Sequence, residues 1–109
     1  MGLGGIKLAD YADPRAVSRG VGLAASAKAV ADRTVRRDDD TTIISAQVAS
    51  ASGIADYFET SVMFGDFESR IVDYECPCPA IARFDGLCKH CVALVTTYFT
   101  QPRSFRDVG

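Results

Sequence analysis

The sequence predicts an α+β domain: an N-terminal helix packed on a three- to four-stranded antiparallel meander, closed by a Cys₃His zinc finger and a C-terminal helix. Three observations predict it. A capped, alanine-rich segment lies near the start, alternating apolar and polar residues punctuated by turns fill the middle, and Cys76, Cys78, Cys88 and His90 fall within fifteen residues. At 109 residues and 48% hydrophobic, the chain reads as one domain over residues 1–109, near the lower end of the usual size range. A core that small benefits from a metal cross-link.

Glycines at positions 2, 4 and 5 suggest a tail, with a short strand over residues 6–8 as the alternative. The first helix is expected over 13–31. Asp13 suits the N-cap and Pro14 the first helical position, while Ala16, Leu23, Ala27 and Val30 lie near one face beside Val17, Val21 and Ala24. Gly20 and Gly22 point to close packing against the sheet. They do not form a phosphate loop, which needs a preceding strand and a fuller motif.

The meander is expected over 33–75. Strands at 34–37 and 41–50 flank an Asp-rich turn, and Ile44, Ala46 and Val48 alternate with polar neighbours. Ser52-Gly53 marks the next turn. Phe58, Thr60, Val62 and Phe64 share one face of a strand at 57–64, and Gly65-Asp66 leads to a last strand at 68–75. This alternation assigns Phe58, Phe64 and Tyr74 to the core rather than to a base-stacking platform.

The finger and its helix are expected over 71–99. In an extended segment Cys76 and Cys78 point to one side while Pro77 points away. Pro77 and Pro79 place this pair at a sheet edge or strand end. Asp85-Gly86 signals a turn, and residues 88–98 have helical periodicity. Residues two apart on a helix point in nearly opposite directions, so Cys88 and His90 share one ion only if Cys88 lies in the turn or at the cap. Zn²⁺ in a closed Cys₃His set has no open position for water or substrate, which makes the expected role structural.

Cys-Pro-Cys followed by Cys-Lys-His and Val-Ala-Leu resembles the SWIM zinc finger, whose pattern is Cys-x-Cys, a spacer, then Cys-x-His. The resemblance covers residues 71–95. It implies Cys76, Cys78, Cys88 and His90 as ligands and a DNA- or protein-interaction module of the kind found in Swi/Snf-type helicases and transposases. The upstream helix and strands are also similar to the segment preceding the finger in bacterial helicase-associated proteins.

The position after the histidine, usually aliphatic in that family, is Cys91. A Cys₄ site of Cys76, Cys78, Cys88 and Cys91 is therefore a rival, because Cys88-x-x-Cys91 is also zinc spacing. Helical periodicity favours His90: Cys91, Leu94, Val95 and Tyr98 form one apolar stripe, in which a free cysteine behaves as a small hydrophobe. Two disulfides, or a cysteine nucleophile with a histidine base, each leave part of the four-residue pattern unexplained. The absence of a leader points to a reducing, cytoplasmic compartment, where such clusters are metal sites more often than disulfides.

Twelve basic against fourteen acidic residues give a formal charge of −2. Phosphate contacts dominate nucleic-acid affinity, so an acidic domain depends on a local basic patch. The candidates are Arg83, Lys89, Arg103 and Arg106 around the finger. Arg33, Arg36 and Arg37 are answered by Asp38, Asp39 and Asp40, as in a solvated hairpin. The alanine-rich stretch 21–31 is too short to span a bilayer. No paired-carboxylate site, nucleophile elbow or nucleotide loop is present, so neither an enzyme nor a small-molecule substrate is expected. Two readings remain: docking to a protein partner or to another domain of a parent chain, and direct DNA binding through the basic rim. Charge favours the first.

Overall fold

The computed structural model describes residues 6–26, 28–49, 57–77 and 86–108. Its elements follow in the order α1 (Pro14–Ala24), β1 (Val30–Asp38), β2 (Thr41–Ala49), β3 (Tyr57–Gly65), β4 (Arg70–Glu75), α2 (Lys89–Thr100) and β5 (Arg106–Asp107). A 3₁₀ turn, Leu8–Asp10, precedes α1, and another, Pro102–Ser104, follows α2. The class is α+β.

The sheet departs from the expected meander. Its order is β4-β3-β2-β1-β5, with β1 to β4 pairing antiparallel in sequence and β5 lying parallel to β1. The sheet is therefore mixed. After α2 the chain turns beside β1, pairs Arg106 with Thr34 and Asp107 with Val35, and donates from Val108 N–H to the Val35 carbonyl at 2.9 Å. This supplies partners to a strand edge otherwise left with unpaired backbone groups. Two residues are too few to show a strand period.

Asp13 is extended ahead of α1 and accepts from the Arg15 backbone N–H at 2.8 Å, with Pro14 in the first turn. The helix stops at Ala24, not at 31. Val30 belongs instead to β1, where it is buried opposite Val48. A β-branched residue gains more from that cross-strand contact than from extending a helical stripe. A register shift between Ala31 and Thr34, with Asp32 at φ 52, breaks the alternation at the start of β1 and explains why only 34–37 reads as strand. Ala27 and the Ser52-Gly53 turn lie outside the described residues.

Thr42, Ile44, Ala46 and Val48 of β2 and Thr60, Val62 and Phe64 of β3 are buried on one face, as the alternation requires. Phe58 and Tyr74 pack partly buried against this core. Helix α2 lies on that face, against β2 and β3, and α1 packs on α2. The expected stripe of Cys91, Leu94, Val95 and Tyr98 is buried, but so are Val92, Ala93 and Thr97, because α1 covers what the sheet does not. Gly20 belongs to this contact: a Cβ there would overlap the Val92 side chain and the Lys89 carbonyl. The close approach is thus between the helices and not against the sheet. No helix among the described residues is long and apolar enough to cross a membrane.

The two helical glycines should respond oppositely to alanine. Gly22 meets nothing within 4 Å, so Gly22→Ala should stabilise by about 0.5–1 kcal/mol through helix propensity. Gly20→Ala should destabilise by about 1–3 kcal/mol through overpacking. Urea midpoints of the two variants provide the measurement, and similar shifts in both would contradict this helix–helix contact.

Candidate metal centre

The site forms where the end of β4 meets the start of α2. β4 ends at Glu75 and delivers Cys76, 7% exposed, to the covered face of the sheet. From the other side, Gly86 at φ 102 brings the chain against the segment before α1, where a Cβ would overlap the Tyr11 carbonyl. That same carbonyl accepts from Leu87 N–H at 2.8 Å. Cys88 follows, fully buried and extended at φ −81, ψ 172, as the N-cap of α2. The cap position resolves the problem posed by Cys88 and His90 two residues apart: only His90 is inside the helix.

His90 Nδ1 lies 3.7 Å from Cys76 Sγ and 3.8 Å from Cys88 Sγ. Among the described residues, Cys76, Cys88 and His90 are a buried group whose ligand atoms lie within 4.8 Å of one another, close enough to hold a metal ion. A tetrahedral ion with metal–sulfur bonds of about 2.3 Å and metal–nitrogen bonds of about 2.0–2.1 Å separates sulfur from nitrogen by about 3.6 Å. The observed spacing fits that edge. His90 Nε2 is buried without a hydrogen-bond partner, and the Phe58 ring lies 4.8 Å from the imidazole, so the apolar packing directs Nδ1 toward the sulfurs.

The electrostatics suit a cation. Burial lowers the basicity of His90, but the Cys76 and Cys88 sulfurs outweigh it and raise the pKa to about 9. Cys76 is held far below the usual thiol range, chiefly by hydrogen bonding with Cys88 and then Cys91. Cys91 is pushed up by Cys76, then Cys88, and by its own burial, so it keeps its proton. Negative charge thus collects on the Cys76 and Cys88 sulfurs, beside the positive end of the α2 dipole.

Two further residues stand near the site: Cys91, the rival ligand of the sequence reading, and Thr60, to which the sequence reading gave no role there. Cys91 Sγ lies 3.8 Å from Cys88 Sγ although it stands outside the close three-residue group. Thr60 Oγ1, fully buried on β3, is 3.6 Å from Cys76 Sγ and 3.1 Å from the Phe58 carbonyl. A threonine on an apolar strand face was the available signal. Cys78 and Arg83 lie outside the described residues.

The remaining basic candidates do not converge. Lys89 opens α2 between Cys88 and His90, whereas Arg103 is exposed beyond its far end, and twelve helical residues span about 18 Å. Arg106 pairs with Thr34 in the row that runs through Ser45 and Ser61 to Glu75. It therefore sits four strand spacings, about 19 Å, from the strand that delivers Cys76. The crossing helix carries the chain to the other edge of the sheet, which closeness in sequence does not reveal. A concavity of about 680 Å³ bordering Cys76 and Pro77 is lined instead by Asp32, Glu59 and Glu75, with Ser45, Gln47 and Ser61.

Compared with known proteins, the chain matches no family model, no curated protein and no solved structure.

A histidine whose pKa is raised to about 9 is protonated at pH 7.5 and must lose that proton to coordinate. Metal uptake at this pH should therefore release one proton from His90 beyond any from the thiols. Calorimetric titrations in buffers of different ionisation enthalpy count the protons, and the proton from His90 should drop out of the count as the pH is raised above about 9.

Proposed function

We propose that the chain is a non-enzymatic, SWIM-type interaction module in which Cys76, Cys78, Cys88 and His90 bind one structural zinc ion. The convergence of Cys76, Cys88 and His90 at the junction of β4 and α2 carries this reading. Two sulfurs and an imidazole in a buried site suit zinc better than hard, oxygen-seeking cations. The Cys-Pro-Cys pattern supplies Cys78 as the fourth ligand, and a full set of four makes the centre structural. Zinc then ties a strand end to a helix start and contributes on the order of 10 kcal/mol to folding.

The module docks on a protein partner or on another domain of a parent chain, which by resemblance includes helicase-like ATPases. The observation favouring docking over direct DNA binding is the placement of charge. Lys89, Arg103 and Arg106 are dispersed, and carboxylates of Asp32, Glu59 and Glu75 line the concavity beside the finger. A phosphate backbone meets repulsion there.

Metal analysis of the purified protein should find one zinc per chain. Cys91→Val should keep the ion, because an aliphatic residue suits its buried position, while His90→Ala should lose it or bind it incompletely. Folded protein that holds no metal, with four free thiols counted after denaturation, would overturn the zinc reading, and the reverse result for the two variants would establish the Cys₄ site.

Affinity for DNA should be no tighter than about 10⁻⁴ to 10⁻⁶ M, with shallow salt dependence. Reversing Arg83 and Lys89 to Glu should remove that binding and leave zinc in place. Nanomolar binding to one DNA sequence, measured by fluorescence anisotropy across a salt series, would replace docking with direct sequence reading.

A further inference from the structure

We infer that Cys88 and Cys91 are a redox-active dithiol built into the metal centre, which hydrogen peroxide converts to a disulfide with release of the ion. The inference rests on the zinc reading for the ion released, while the sulfur chemistry stands on geometry of its own. Cys88 is the N-cap of α2 and Cys91 lies one turn inside it, with their Sγ atoms 3.8 Å apart and both side chains fully buried. Cys-x-x-Cys at a helix N-terminus is an arrangement suited to reversible disulfide formation. Cys91 is not needed to complete the Cys₃His set, which leaves it as a thiol beside a ligating sulfur. Burial excludes bulky oxidants, but peroxide is scarcely larger than water.

The reaction proceeds in two balanced steps. The Cys88 thiolate attacks one peroxide oxygen, the O–O bond breaks, and the products are Cys88 sulfenic acid and hydroxide, which takes a proton from solvent to become water. The Cys91 sulfur then attacks the Cys88 sulfur, forming the S–S bond and expelling the hydroxyl with the Cys91 proton as a second water. Two electrons pass from the two sulfurs to peroxide. With Cys88 lost as a ligand, the ion keeps an incomplete set and leaves.

The sequence makes the test direct, because trypsin cuts after Arg83, Lys89 and Arg103 and so separates the two cysteines. Metal-loaded protein is treated with one equivalent of hydrogen peroxide while a chromophoric chelator reports the released ion, and the alkylated digest is then examined by mass spectrometry. The expected product is peptide 84–89 linked to peptide 90–103, appearing in step with metal release. In Cys91→Val, release should be slower by roughly tenfold or more, since the adjacent resolving thiol is gone. A link from peptide 71–83 to either of the others, a sulfinic acid on Cys88 without any link, or unchanged release from Cys91→Val would each overturn the inference. Metal content measured before oxidation tests the zinc reading separately, and the wild-type linkage decides the matter if the variant does not fold.

Discussion

The structure depends on burying α2 on every side. The sheet covers one face of this helix and α1 the other, and Gly20 allows the two helices to meet at Val92. Such a helix gains its stability from apolar contact all round, but its two ends still carry unsatisfied backbone dipoles and side-chain polar groups inside the protein. Each end meets a different polar cluster. At the N-terminus stand Cys76, Cys88 and His90. At the C-terminal end, Tyr98 donates to Glu68 Oε2 at 2.8 Å and accepts from Arg37 at 3.2 Å, and Thr42 donates to the same Glu68 oxygen at 2.9 Å.

These clusters do different work. The Tyr98 cluster joins α2 to the hairpin β1–β2 and to the β3–β4 turn, where Asp66, Phe67 and Glu68 all have positive φ. That turn is held by Phe67 N–H, which donates to the Asp40 carbonyl at 2.9 Å, and by Arg70, which donates to Asp66 at 2.6 Å. The Cys/His cluster joins α2 to the far edge strand β4, which lies against β3 alone in the sheet. In a 109-residue chain, an edge strand has little apolar area to hold it, and a bound ion would supply what the core cannot. The buried Thr60 hydroxyl beside Cys76 adds a polar contact where β3 supports this junction.

Both helices lie on one face of the sheet, so the other face takes its character from the sequence alone. Thr34, Ser45, Gln47, Glu59, Ser61 and Glu75 form the lining of the shallow concavity there. Hydroxyls, an amide and carboxylates make this concavity polar. The same composition sets the electrostatics next to Cys76, which is why the net charge of −2 has a local as well as a global meaning.

Much of this was legible in the residues because it depends on local chemistry. Asp13-Pro14 sets the start of α1, the alternation through Ile44 to Val48 and Phe58 to Phe64 sets β2 and β3, and the geometry of a helix cap requires Cys88 to stand outside α2. The remainder was decided by contacts between distant segments. Val30 left the helical pattern because Val48 stood opposite, and Arg106-Asp107 became a strand because β1 had a free edge. Gly20 found its close contact on α2 because the sheet was already covered, and the same helix carried Arg103 and Arg106 away from Lys89. Periodicity and capping act over a few residues and are written in sequence order. Strand pairing and layer packing act between segments tens of residues apart, and only the folded chain fixes which of them meet.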